Sequence, residues 1–234
     1  MKRLLKSAAI AGSIALLCVG VAQAAVIINP AGTVAMGINN DGSLNTTVGN
    51  IVSNSGATGL AYNFGTPAAP RWQDATSPGC YCEGWGVSVN NTTSGYANVS
   101  SDGGANNLTF GAATGVTATT ATTTTSLTSL SGISVTHEFA PASNAPGALF
   151  SVRVTITNTT GADVTNVKYV RVMDWDVPPT EFSEFVTIRG TATTTLLERS
   201  HDNGFNTANP LCGDSPLNAA TADVDFFDDG PADH

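Results

Sequence analysis

Residues 149–172 read LFSVRVTITNTTGADVTNVKYVRV. In an extended chain successive side chains point to opposite sides, so Phe150, Val152, Val154 and Ile156 share one face and Arg153 and Thr155 the other. The turn Asn158-Thr159-Thr160-Gly161 supplies residues suited to chain reversal, and a second β-rich run, residues 164–172, follows it. The stretch reads as a hairpin. Turns spaced this way predict an all-β, antiparallel β-sandwich.

The chain on either side is of the same kind. Helical periodicity is nearly absent beyond residue 24, while Thr, Val, Ser, Gly and Asn dominate, the composition of short strands joined by polar turns. Val34, Met36 and Ile38 alternate, and Asn39-Asn40-Asp41-Gly42 has the turn chemistry for a hairpin back through Leu44. Residues 59–64 read as a further strand, followed by a Pro-rich loop over 66–78. Short strands are expected over 84–89, 95–99 and 107–111, and residues 133–139 alternate again. Residues 117–128, almost pure Thr, Ala and Ser, read as a solvated strand pair, because β-branched Thr favours the pleated sheet and its hydroxyl accepts water. An ice- or mineral-binding Thr array would need a repeat period that the chain lacks.

The N-terminus combines Lys2, Arg3 and Lys6 with an apolar run over residues 8–21 and Ala22-Gln23-Ala24 ahead of Ala25. A basic segment, a short apolar segment and an A-x-A site together predict a cleaved export signal over residues 1–24. The apolar run is shorter than the roughly 20 residues needed to span a bilayer, and the mature chain, 25–234, has no other segment that would. It holds six Lys and Arg against eighteen Asp and Glu, a net charge of −12. Such a surface repels nucleic acid and suits divalent cations or neutral glycans. Three cysteines remain, Cys80, Cys82 and Cys212, and an oxidising compartment favours a disulfide. Closing Cys80 on Cys82 makes a very small ring, so Cys212 bonded to Cys80 or Cys82 is the expected pairing.

Two phrases concentrate chemistry. In residues 172–185, VMDWDVPPTEFSEF, Asp174 and Asp176 share one face at a strand end, before a Pro pair that turns the chain out of the sheet. Two carboxylates so close repel unless a cation, an arginine such as Arg171 or a raised pKa offsets them. With Glu181, Glu184, Asp202 and Asn203 they form a candidate calcium site of hard oxygen ligands, beside the simpler reading of a solvated acidic turn. A glycosidase pair drawn from Asp174, Asp176, Glu181 and Glu184 is the enzymatic alternative. No Gly-x-Ser-x-Gly elbow is present, and His137, inside a strand pattern, reads as structural. The second phrase, residues 79–87, GCYCEGWGV, sets Trp85 between two glycines, which suggests a close approach of backbone to an aromatic. Trp85 with Tyr81 is a candidate glycan-stacking pair, against a core Trp covering a disulfide.

Residues 149–172 resemble the immunoglobulin-like repeat domains of bacterial surface proteins, which implies that fold in part and no particular ligand. More widely, the phrases GCYCEGWGV, Asp174-Trp175-Asp176 with Pro179-Thr180 and Glu184-Phe185-Val186-Thr187-Ile188, Asp202-Asn203-Gly204-Phe205 and Asp229-Gly230-Pro231-Ala232-Asp233-His234 occur in an order similar to that of exported PEP-CTERM proteins of Gram-negative bacteria. The resemblance implies export, sorting by an exosortase-type system, and deployment at the cell surface or in the exopolysaccharide matrix of a biofilm, and it implies no established catalytic activity. Such proteins end in a Pro-Glu-Pro motif, an apolar helix and a basic tail, which this sequence lacks. Its stop on a turn-rich phrase with no following strand reads as a truncated C-terminus.

Overall fold

The computed structural model describes residues 24–182, 185–187, 207–212 and 225–227. Among these, fourteen strands form three four-stranded antiparallel sheets and one two-stranded ribbon. The chain is all-β and sandwich-like, as its alternation predicts, and no helix among the described residues is long and apolar enough to cross a membrane.

The first sheet is β1 (Ala25–Ile28), β2 (Val34–Ile38), β3 (Leu60–Asn63) and β4 (Trp72–Asp74), in that order. The second runs β12 (Lys168–Val172), β5 (Gly84–Val89), β6 (Thr93–Asn98), β7 (Gly104–Asn106), and the third β11 (Phe150–Asn158), β10 (Ile133–Pro141), β9 (Ala121–Leu127), β8 (Leu108–Phe110). A ribbon pairs β13 (Phe185–Thr187) with β14 (Asp225–Phe227).

The third sheet is the layer on which the other two are laid. Its strand β10 alternates strictly, burying Ile133, Val135, His137 and Phe139 on one face. Phe139 and Ala121 at one end pack with Ile27, Met36 and Ile38 of the first sheet. Ile133, Val135 and Leu127 at the other end pack with Trp85, Val87 and Val89 of the second. His137 and Thr123 therefore fall where all three sheets meet.

The first two sheets are also covered on their outer faces, which explains why β2 and β5 are buried at every position rather than alternately. Val52 packs on Ala35, Ala61 and Trp72, with Ile51 against the same cluster. On the second sheet Ala208 packs on Val170 and Val172. Gly86 is required there: a Cβ on it would lie 1.9 Å from the Ala208 carbonyl oxygen. The glycines around Trp85 thus serve a close approach, as read from the sequence, but for Gly86 what approaches is backbone and not an aromatic ring.

Two expectations fail on partnership rather than on pattern. Residues 150–156 are strand with the predicted faces, and of the second run, 164–172, residues 168–172 are strand, but β11 pairs with β10 and β12 with β5, in different sheets. Asn90 causes the separation: its backbone donates to the Thr165 carbonyl at 2.6 Å and its side chain accepts from Thr165 N at 2.7 Å, drawing the chain across to the end of β5. The Thr-rich run is one strand and not a solvated pair, with Thr123 and Thr125 buried and Thr124 exposed. A strand of Thr presents methyl groups inward as readily as hydroxyls outward, so composition alone did not separate its faces.

Candidate functional site

The turn after β2 is the centre of the molecule's polar chemistry. Residues 39–44 leave the first sheet and enter the junction of the three sheets, with Asp41 Oδ1 accepting from Ser43 N and Oγ to set the turn. Gly42 has φ +88°, and a Cβ there would lie 2.7 Å from His137 Nδ1 and 2.9 Å from Thr123 Oγ1. Only glycine fits this position.

Side chains from the second sheet grip the same turn. Trp85 Nε1 donates to the Asp41 carbonyl at 2.8 Å, and Arg171 Nη2 to the Gly42 carbonyl at 3.2 Å. Glu83 Oε2 accepts from Leu44 N, and Glu83 Oε1 faces Arg171 Nε at 2.5 Å. His137 Nε2 meets the Tyr169 hydroxyl at 3.0 Å, and the Trp85 and His137 rings lie edge to face at 4.5 Å.

Glu83, His137 and Trp85 are fully buried. Burial pushes the Glu83 carboxyl up to about 7, against the opposing pull of the Arg171 charge. Burial, seconded by Arg171, pulls His137 down to about 3, so the ring is neutral at physiological pH. Burial likewise raises the Tyr169 hydroxyl. An acid, a base and a cation are thus assembled within bonding distance of one backbone turn. Glu83 and Arg171 are spent largely on that turn and on each other and His137 Nε2 on Tyr169, while His137 Nδ1 and Arg171 Nη1 have no hydrogen-bond partner among the described residues, so the cluster acts first as a clasp between sheets.

The sequence singled out His137 as structural, and its place in the core agrees. It did not find Glu83 or the Glu83–Arg171 pair. The signal available was a charged residue inside the otherwise apolar strand pattern of residues 82–89, since an acid in a buried strand demands a partner.

Trp85 and Tyr81 do not form a stacking platform. Trp85 has no exposed surface, and the half-buried Tyr81 turns its hydroxyl toward Gly56, where an added Cβ would lie 2.7 Å from it. Trp85 is a core residue, and the rings it packs against are those of His137 and Tyr169.

The acidic turn is buried rather than solvated at its two aspartates. Asp174 and Asp176 are 5% and 0% exposed, beyond the end of β12, and Asp176 N donates to the Ala75 carbonyl at 2.8 Å. Gly79, with φ +77°, lets this segment close down: a Cβ would lie 2.7 Å from the Phe182 ring and 3.3 Å from Asp176 Oδ2. Cys80 Sγ lies 3.3 Å from Asp174 Oδ2. Among the described residues, the group spaced to surround an ion is Cys80, Cys82 and Asp174; Glu181 is half-buried and not part of it. Glu184, Asp202 and Asn203 lie outside the described residues.

The disulfide joins Cys80 to Cys82, in place of the expected bond to Cys212. Their Cα atoms are 5.3 Å apart, inside the usual span for a disulfide, so the two-residue separation is no barrier. Cys212 is held elsewhere: Asp102 accepts from Thr207 Oγ1 at 2.7 Å and Ala208 N at 2.8 Å, docking residues 207–212 against the second sheet within electrostatic reach of Tyr96.

Comparison with family models, with curated proteins and with solved structures finds no match. The class that fold and site define is an all-β, sandwich-like protein with a buried ionic clasp.

Proposed function

We propose that the chain is a non-enzymatic exported protein of the cell surface or biofilm matrix, sorted as PEP-CTERM proteins are and in contact with exopolysaccharide. The observation that carries this reading is the clasp. Glu83 and His137, buried in the core, and the partly buried Arg171 are the residues best suited to acid–base chemistry, and they are engaged in joining three sheets. Export is supported by the Cys80–Cys82 disulfide and by the first strand, which begins at Ala25, where the signal-like segment ends. The carbohydrate-active alternative through Trp85 loses its support with that residue's burial.

A calcium ion at the acidic turn is the cofactor part of the proposal. With both sulfurs in a disulfide, Asp174 and Asp176 are the hard donors that would hold it, and oxygen donors are what calcium takes. Fractionating the expressing cells and weighing the recovered chain tests the reading: a chain outside the cytoplasm starting at Ala25 supports it, and an intact Met1 chain in the cytosol contradicts it. The recovered chain should unfold at higher temperature in millimolar calcium than in chelator. Calcium at 100 times its dissociation constant would add about 2.7 kcal/mol, a gain absent from an Asp174→Asn, Asp176→Asn variant.

A further inference from the structure

A groove of about 500 Å³ lies beside β4, lined by Ile51, Ser53, Phe64, Pro70, Arg71, Trp72 and Gln73. Phe64 and Tyr62, two residues apart on the same face of the chain, are each half exposed, with ring centroids 5.0 Å apart in an edge-to-face pair. Arg71 Nη2 donates to the Phe64 backbone carbonyl at 3.0 Å, which fixes the guanidinium beside that residue's backbone and leaves its other N–H groups able to donate. Gln73 stands opposite Tyr62 across the β3–β4 ladder. The groove thus combines one aromatic ring held open to solvent, Phe64, with a guanidinium, an amide and a hydroxyl, and Tyr62 packs on the edge of that ring outside the lining.

We propose that this groove binds a neutral pyranose glycan, a reading that rests on the surface or matrix role for its setting. A sugar ring has an apolar face of C–H groups and a rim of hydroxyls. The first suits Phe64, the second Arg71, Gln73 and Ser53. A concave site that sets an aromatic ring beside a few placed polar groups suits a ligand of this size. A polyanionic sugar is disfavoured by the chain's acidity, which is −9 over the whole sequence. An extended peptide adding to the sheet is disfavoured at both ends of the β4 edge. Pro70 has no N–H to offer, and the backbone of Asp74 is already paired with the Asn54 side chain, at 2.9 Å to its N–H and 3.1 Å to its carbonyl.

Calorimetric titration of the purified chain decides the matter. The probes are neutral hexasaccharides (β-1,4-, β-1,3- and α-1,4-linked glucose and β-1,4-linked mannose), a galacturonate hexamer and a Val- and Thr-rich extended peptide. At least one neutral hexasaccharide is expected to bind, and Phe64→Ala and Arg71→Gln should each weaken that binding at least tenfold. Both positions are exposed, so unchanged thermal midpoints will separate lost contacts from lost fold. No binding to any neutral probe, binding confined to the galacturonate or the peptide, or neutral binding that ignores both substitutions overturns the proposal. Cell fractionation involves no glycan, so failure of this inference and failure of the export reading are seen separately.

Discussion

Arg171→Ala is expected to lower the free energy of unfolding by about 3–5 kcal/mol, measured by urea denaturation at pH 7. Its guanidinium lies 2.5 Å from Glu83, holds the Gly42 carbonyl and sits 5.9 Å from the centre of the Phe139 ring. Truncation leaves a buried carboxyl, already pushed up to about 7 with its partner in place, without the charge that offsets its burial. The cost comes from that stranded acid more than from the lost attraction, because two ions taken out of water together roughly balance desolvation against Coulomb energy. Pairing Arg171→Met with Glu83→Gln should therefore recover most of the loss, since glutamine still accepts the Leu44 amide. A loss below about 1 kcal/mol for Arg171→Ala would describe a pair exposed to water and would refute the clasp.

Trp85→Ala is expected to cost about 3–5 kcal/mol, the range for removing a buried large aromatic. The indole fills the junction between His137, at 4.5 Å, and Tyr169, at 6.1 Å and nearly parallel, and its N–H satisfies the Asp41 carbonyl. Its loss opens a cavity and strands that acceptor in the same step. The variant is expected to bind neutral hexasaccharides unchanged wherever it remains folded. A Trp85 variant that keeps its stability but loses glycan binding would return the stacking role to this residue.

Much of the strand map was legible because period-two alternation reports which face of a strand is buried. Ile133 to Phe139 and Phe150 to Ile156 follow from it, whereas Val34 to Ile38 is a strand as read but is buried on both faces. Partner choice was not legible: β11 and β12 alternate equally well in one hairpin or in two sheets, and the deciding contact is made by Asn90, far away in sequence. The short strand β4 lay inside a Pro-rich loop and carries no alternation of its own. Among the candidate site residues, Asp174 and Asp176 both lie beyond the end of β12, but their burial was not legible: Asp174 lies in a group with Cys80 and Cys82, and Asp176 against Gly79 and Phe182. The clasp itself was hidden because Glu83, His137 and Arg171 come from three separate strands or their approaches, and meet only when the turn at Gly42 is inserted among them.

The clasp is tested most directly by stability against pH, between pH 3 and 8, for the wild type beside Glu83→Gln and His137→Phe. His137 is pulled down from 6.5 to about 3, so its contribution is whole above pH 6.5 and is lost as pH falls from there toward 3. Glu83 is raised from 4.5 to about 7, so its contribution is whole below pH 4.5 and is lost as pH rises toward 7. Relative to the wild type, His137→Phe should gain stability as pH falls through the first window, and Glu83→Gln should gain as pH rises through the second, each by about 1.4 kcal/mol per pH unit. Differences that stay constant across both windows would mean that the two groups titrate as they do in water, and that the three sheets are not joined through a buried clasp.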